Sequence, residues 1–250
     1  MDKDFKPVKS VYYSNLEVIT NIMSLYNIEQ FDLDCTYSKG NFWKGLPEPK
    51  IKSDTHPTSE IVIKANSEEL PFENNSMKSI MYDPPFVISG KDYKTNKEGS
   101  SIIAKRFEGY TTFNHLKNNY YNSLKELYRV CDKGGHVIFK CQDTVSGGKN
   151  HFTHVMVMNM ALELGFYPRD LFILSSKARI NSFGGRWNKQ EHARKHHSYF
   201  WIFEKVKPKV DYQITNPISQ IISPDSEEFQ DTSSPDLLSS ISQQFQQEIL

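Results

Sequence analysis

Between Ser14 and Tyr26 the residues Leu16, Ile19, Ile22, Met23 and Tyr26 recur at helical spacing, with Ser14 placed as an N-cap. Short apolar runs follow. Gln30–Thr36, Lys50–Asp54 and Glu60–Asn66 read as three strands, and Met77–Tyr82, written MKSIMY, as a fourth that runs into Asp83. Helical periodicity returns from Asn114 to Cys131, with Leu116, Tyr120, Leu124, Leu127 and Tyr128 on one face, and Asp132-Lys133-Gly134-Gly135 stops it. A strand at His136–Asp143, a helix at Phe152–Leu164 ended by Gly165, and strands at Asp170–Ser176 and Ser198–Lys205 complete the series. Strands alternating with helices predict an α/β fold, a mostly parallel sheet covered on both faces.

Two stretches fall outside this pattern. Val87–Thr112 is polar and mixed and reads as a long loop with room for one helical turn, a length that inside a compact domain usually carries function. From residue 207 to 250 the chain is rich in Ser, Gln, Pro and acid and cannot bury enough apolar area to offset its ordering entropy. The expected organisation is therefore one domain at 1–206 and a flexible tail at 207–250. The last residues space Leu237, Leu238, Ile241, Phe245, Ile249 and Leu250 helically, which leaves open a docking segment for this domain or a protein partner, or transient helix in a disordered end.

Composition narrows the classes. Thirty basic residues balance thirty acidic ones, so bulk charge gives no reason to expect nucleic acid or an anionic membrane. The distribution is uneven: the tail holds two basic residues against seven acidic ones, leaving a positive excess ahead of it. Cys35, Cys131 and Cys141 are odd in number and lack C-x-x-C spacing, which suits a reducing compartment. No apolar run approaches about 18 residues and the start lacks an apolar export segment. The expectation is a soluble, cytoplasmic protein.

Candidate chemistry centres on Asp83-Pro84-Pro85-Phe86, at the end of the fourth strand, where open α/β sheets bind ligands. The prolines stiffen the segment and leave its carbonyls as acceptors, and an ionised carboxylate is acceptor-only. The set suits an incoming amino group, with Phe86 as a stacking face; a stiff turn is the plain alternative. These residues resemble the D/N/S-P-P-Y/F/W motif of the S-adenosylmethionine-dependent amino-methyltransferases that act on adenine N6 or cytosine N4 in nucleic acid. Aspartate in first place resembles the adenine-N6 type. Ala65–Pro85 and Leu124–Lys140 also resemble the third-to-fourth and fifth strand regions of the class I methyltransferase fold, so the resemblance spans roughly Phe31 to Lys205.

The resemblance implies a Rossmann-like fold and S-adenosylmethionine as cofactor. On the cofactor side it points to Asp34, Gly40 and Phe42 in DCTYSKGNFW, to Asp54 ending the second strand and to Asn66 ending the third. It gives Asp34 the methionine ammonium, Asp54 the ribose hydroxyls and Asn66 the adenine; strand-end cap, Asx-turn and turn residue are the alternatives. Only about a dozen residues, Pro47 and Pro49 among them, separate Gly40 from the second strand, too few for the usual helix.

Between Lys177 and Lys195 six cations, Lys177, Arg179, Arg186, Lys189, Arg194 and Lys195, face one acid, Glu191, with Phe183 and Trp187 interleaved. This pattern suits phosphate contacts and base stacking, or a solvated surface loop. Lys91–Arg106 is also basic and suits a loop closing over a bound base. His192, His196 and His197 lack a completing carboxylate or cysteine, so no metal is expected. By resemblance, Asp83 and the Pro84 carbonyl accept the amino N–H bonds of a base flipped out of double-stranded DNA. Other substrates (RNA, a protein amide, a small molecule) and a non-catalytic nucleic-acid-binding module remain alternatives.

Overall fold

The computed structural model describes residues 7–88, 109–176 and 191–206. Strands β1 (Val11–Tyr12), β2 (Leu33–Asp34), β3 (Ile51–Asp54), β4 (Ile63–Lys64), β5 (Met77–Tyr82), β6 (Cys131–Cys141), β9 (Tyr167–Ser175) and β10 (His197–Glu204) form one sheet, ordered β1-β9-β10-β6-β5-β2-β3-β4. All pairings are parallel except those of β10, which lies antiparallel between β9 and β6. A separate two-stranded hairpin joins β7 (Thr144–Ser146) and β8 (Lys149–His151). The helices are α1 (Asn15–Leu25), α2 (Phe113–Val130) and α3 (Thr153–Glu163).

The expected α/β fold with a mostly parallel sheet is what forms. The period-2 alternation of the strands sorts the core into two layers. Ile80, Tyr82, Val137, Phe139, Trp201 and Phe203 pack under α2 and α3. Met81, Ile138, Phe200 and Ile202 face the other way, against Val18, Ile19 and Ile22 of α1 and against Trp43. Ser14 caps α1 in a reciprocal box with Glu17, worth about 1 kcal/mol. Leu16, spaced with Ile19 and Ile22 in the sequence, is 44% exposed.

Several elements are shorter than their apolar runs. β2 and β4 hold two residues each, because they pair with neighbours for only that length before the chain turns away. After Gly40 a single 3-10 turn, Asn41–Trp43, stands where a longer loop would carry a helix, and the buried Trp43 ring covers that part of the sheet. The Gly-Gly pair does not stop α2. The helix ends at Val130, Cys131 is already extended, and two residues of β5 advance (Met77 to Ser79) while five of β6 pass (Cys131 to His136). Gly134 has φ +74°, and a Cβ on Gly135 would lie 2.9 Å from the carbonyls of Asp132 and Lys78, so the pair forms a bulge inside β6. Composition alone could not separate bulge from stop.

The chain leaves β2 outward through β3 and β4 and returns as β5 on the other side of β2. That reversal between β2 and β5 is a topological switch point, and its carboxyl side is where open α/β sheets form their ligand crevice.

Candidate active site

Asp83 emerges from β5 at this crevice. Its backbone N–H donates to Thr36 Oγ1 at 2.8 Å, which ties the motif to the segment leaving β2. Its Oδ2 accepts from Lys140 Nζ at 2.9 Å, and both side chains are largely buried. The pairing follows from register: Tyr82 lies beside Phe139 in parallel, so the next residues, Asp83 and Lys140, are neighbours. The Lys140 ammonium also lies 5.3 Å from the Phe42 ring and 5.5 Å from the Phe200 ring, within cation–π range. Among the described residues no donor reaches Asp83 Oδ1. One carboxylate oxygen is thus fixed, and the other has no partner among the described residues.

The Pro-Pro segment is held from behind. Pro84 is buried, and the carbonyl of Pro85 accepts from Tyr120 Oη of α2 at 2.8 Å. Phe86 is half-buried. Tyr110 N donates to Val87 O at 2.9 Å, and Ile88 bridges to Tyr110, so the two ends of the following loop are clamped together. Beneath them Tyr82 Oη lies 2.9 Å from Ser123 Oγ and 3.3 Å from Asn119 Oδ1, which also accepts from Tyr110 Oη at 2.6 Å. Asn119 donates in turn to Glu68. Burial pushes the Tyr82 and Tyr110 hydroxyls above their ordinary range, so both remain donors.

The residues read as cofactor-binding are distributed differently. Asp34 is 2% exposed, and its carboxylate accepts from Trp43 Nε1 at 2.7 Å and from Thr36 N and Oγ1 at 2.8 and 3.1 Å. It braces the turn after β2 and has no open side for an ammonium. Burial pushes its pKa up to about 7, against the lowering effect of the Trp43 and Thr36 hydrogen bonds; the charge of Asp83 adds to the rise. Asp54 accepts from Ser38 N and His56 N, both at 2.8 Å, an Asx-turn at its own strand end that also anchors the β2 loop. Asn66 is exposed and accepts from Glu68 N at 3.1 Å, again a turn. Gly40 has φ +68°, a conformation that favours glycine, and a Cβ there would press on the Tyr37 hydroxyl, so the loop's own packing accounts for it. Phe42 does reach the Asp83 site, through Lys140.

Of the basic residues, Lys177, Arg179, Arg186 and Lys189 lie outside the described residues, as do the Lys91–Arg106 loop and the tail at 207–250. Arg194 is exposed, and Lys195 Nζ lies 6.0 Å from the Phe152 ring. Among the described residues no group of three or more His, Cys, Asp or Glu side chains can hold a metal ion, and no helix is long and apolar enough to cross a membrane.

The model of the DNA methylase family, the N6/N4 methyltransferases, matches residues 77–246. The chain belongs to this family. The methylase match begins at the first residue of β5 and so contains Asp83, Lys140, Arg194 and Lys195, whereas Asp34, Gly40, Phe42, Asp54 and Asn66 precede it. Membership makes the protein a DNA methyltransferase acting on the N6 or N4 amino group of a base, with S-adenosylmethionine as methyl donor. No curated protein matches the chain. Solved structures similar to the methylase include an S-adenosylmethionine-dependent methyltransferase from Thermotoga maritima (15% identity, 70% of this chain and 81% of that one, TM-score 0.37). Another is a proposed DNA modification methylase from Thermus thermophilus (12%, 63% and 61%, TM-score 0.39). A third is an S-adenosylmethionine-dependent methyltransferase from Methanosarcina mazei (12%, 75% and 98%, TM-score 0.39).

The polar groups at the ends of these strands that fit a cationic cofactor are Asp54 and Asp83, on the strands either side of β2, and the exposed Asn66 amide, whose N–H groups suit an acceptor on a purine edge.

Lys140 and Thr36 escaped the sequence reading, and Tyr120 was read only as part of the apolar face of α2. The signal for Lys140 was present: in HVIFKC it takes the same face as Ile138, an inward position where an unpaired cation is costly and a partner acid is implied.

Proposed function

We propose that the methylase transfers a methyl group to the N6 amino group of adenine in double-stranded DNA, with the target base flipped into the crevice beside Asp83. One observation carries this reading: Asp83 stands at the carboxyl end of β5 with Oδ2 held by Lys140 and Oδ1 unoccupied by any described donor. The aspartate that opens the motif supports adenine over cytosine, by its resemblance to the adenine-N6 type.

An exocyclic amine is a weak nucleophile because its lone pair is delocalised into the ring. Asp83 Oδ1 and the Pro84 carbonyl accept its two N–H bonds and favour a pyramidal nitrogen whose lone pair is free. When bound, the cofactor supplies an electrophilic methyl group on a cationic sulfur. Lys140 keeps the carboxylate in one orientation, Thr36 fixes the backbone of the motif, and Tyr120 fixes the Pro85 carbonyl, so positioning and acceptance carry the rate. Phe86 stacks on the base and recovers part of the few kcal/mol of unstacking. Asn66 and the Gly40–Phe42 turn face the cofactor, with Asp34 and Asp54 shaping that loop. Arg194 and Lys195, with Lys177, Arg179, Arg186 and Lys189, contact phosphates, and the tail at 207–250 is the place for a protein partner.

Incubating unmethylated plasmid DNA with methyl-labelled cofactor, then digesting to nucleosides, tests the reading. Label in N6-methyldeoxyadenosine is expected. Label in N4-methyldeoxycytidine would overturn the choice of base, and transfer to RNA alone would overturn the choice of polymer.

A further inference from the structure

Beyond Cys141 the chain stays on the carboxyl edge of the sheet and builds a surface that the reaction at Asp83 does not use. Three residues past Lys140, Asp143 is 4% exposed and gathers its neighbours: its Oδ1 takes the His154 ring at 2.7 Å and the His154 N–H at 3.2 Å, and its Oδ2 accepts from Tyr199 Oη at 3.4 Å. Trp201 Nε1 donates to His154 O at 3.0 Å, and Gln142 Nε2 donates to His197 O at 2.9 Å. The base of the β7–β8 hairpin and the start of α3 are thereby fixed to β6 and β10. Rings lie in series across this platform. His154 stacks on Tyr199 at 4.0 Å, Phe152 meets His154 edge-on at 6.4 Å, and His151 stacks on Phe113 at 3.7 Å.

On that fixed base the outward residues are apolar. Phe152 is 60% exposed, and Val145 and Val155 also face solvent. One cation touches this surface and others lie on its two segments: the Lys195 ammonium is 6.0 Å from the Phe152 ring, Lys149 is exposed at the hairpin end of β8, and Arg194 precedes Lys195 on a segment that also carries Glu191 and is tied to the hairpin tip by His192 Nε2 and Gly148 O at 2.9 Å. An exposed aromatic ring flanked by cations, on the edge that carries the catalytic aspartate, suits a polyanion with stacked rings better than an apolar protein face.

We infer that the β7–β8 hairpin and Phe152 form a nucleic-acid surface in which Phe152 wedges against the bases flanking the extruded nucleotide while Lys149 and Lys195 meet the adjoining phosphates. This rests on the proposed reading of a flipped base in duplex DNA, and it assigns the opening of the duplex to residues outside the Asp-Pro-Pro-Phe motif. A wedge matters only while a base must be drawn out of a paired stack. Its loss therefore penalises duplex substrate far more than strands already separated.

The test compares intact and heat-denatured plasmid DNA as methyl acceptors for the full chain and for Phe152→Ala, Phe152→Trp and the double variant Lys149→Gln/Lys195→Gln. Phe152→Ala is expected to lower kcat/KM on duplex about tenfold or more and on denatured DNA less than about threefold, in line with a stacking contact of about 1–3 kcal/mol, with Phe152→Trp restoring the duplex rate. In fluorescence anisotropy with a 30-base-pair mixed-sequence duplex, the double variant is expected to bind more weakly and to lower the salt slope by about 2, from about 0.9 per phosphate contact. Equal loss on both DNA forms, no loss on duplex, or an unchanged salt slope would each overturn the inference, and so would a wild-type chain that binds neither form. A wild-type chain that binds duplex and labels cytosine overturns only the adenine assignment. An equal defect in both forms accompanied by a lowered melting temperature marks a folding role for Phe152 and likewise overturns the wedge.

Discussion

Asp32 and Asp83 are both carboxylates beside central strands, one at each end of the sheet, and the two ends treat them oppositely. Asp32, ahead of β2, is filled: Oδ2 accepts from Lys78 N at 2.8 Å, Ser79 N at 3.1 Å and Ser79 Oγ at 3.4 Å, and Oδ1 accepts from Lys50 at 2.8 Å. The cations of that end are equally consumed. Lys205 Nζ donates to the carbonyls of Tyr128 and Cys131 and to Asn75 Oδ1, closing the end of α2, and Arg129 binds Glu126, Asn74 and the carbonyls of Leu70 and Phe72. A cleft of ≈ 610 Å³ opens among these residues, but its Arg129 and Lys205 are already bound to the protein. At the carboxyl end, Asp83 Oδ1 has no partner among the described residues, and Phe152 faces water. Asp32 is saturated like Asp34, Asp54 and Asp143, and Asp83 stands apart from all four in having an oxygen that no described group fills.

The largest effect expected is on Asp83. Asp83→Ala should cut methyl transfer by at least about a hundredfold, the scale of losing one preorganised transition-state hydrogen-bonding group, while cofactor affinity measured by calorimetry stays within a few-fold. Retained turnover would break the comparison at its reactive end. Lys140→Met should cost about tenfold to a hundredfold in kcat, because Asp83 loses its fixed orientation, and Lys140→Arg should recover part of it. A change confined to KM would move Lys140 from positioning to binding. At the other end, Asp32→Ala should cost about 2–3 kcal/mol in urea denaturation, since it orphans two backbone N–H groups, and should leave the rate per folded molecule unchanged.

The smallest effects are in pH dependence, and they have opposite signs for two acids two residues apart. Burial works upward on Asp32, but Lys50 and the amides of Lys78 and Ser79 outweigh it and hold its carboxyl below the ordinary 3.8. Its stabilisation is present above that value and is lost as pH falls through the lower folded value, so the advantage of wild type over Asp32→Asn should shrink in acid. Asp34 has its pKa raised by burial from 3.8 to about 7, so the folded state binds the proton more tightly. Its contribution is present below 3.8 and is lost as pH rises toward 7, so Asp34→Asn should gain on wild type across that window in thermal denaturation at fixed ionic strength. Parallel pH profiles for the two variants would erase the distinction.

Much of this was legible in the chain itself. MKSIMY is a strand from its first residue to its last, and α2 lies within a residue of its periodic run, because each buries a continuous apolar face. The address of Asp83 followed from β5. The inward role of Asp34 did not, since it depends on Trp43 folding back nine residues later, a tertiary choice that no local pattern encodes. Lys140 is a matter of register between strands 57 residues apart. The hairpin was readable in part: Ser146-Gly147-Gly148-Lys149 carries the Gly-Gly signature of a tight turn, with φ +59° and +72°.

The antiparallel seat of β10 has a further consequence, for the order in which the chain can assemble. β10 lies between β9 and β6 yet is made after both, so during synthesis those two strands have facing edges with nothing between them. Pairing Phe200 with Lys140 closes a loop of 60 residues, a non-local contact of the kind that slows folding and exposes unpaired edges to other chains. The sheet therefore cannot close until residues 197–204 have left the ribosome. With β10 the methylase completes three things together: Phe200 and Ile202 fill the second core layer, Phe200 closes over Lys140, and Tyr199 and Trp201 complete the platform under Phe152.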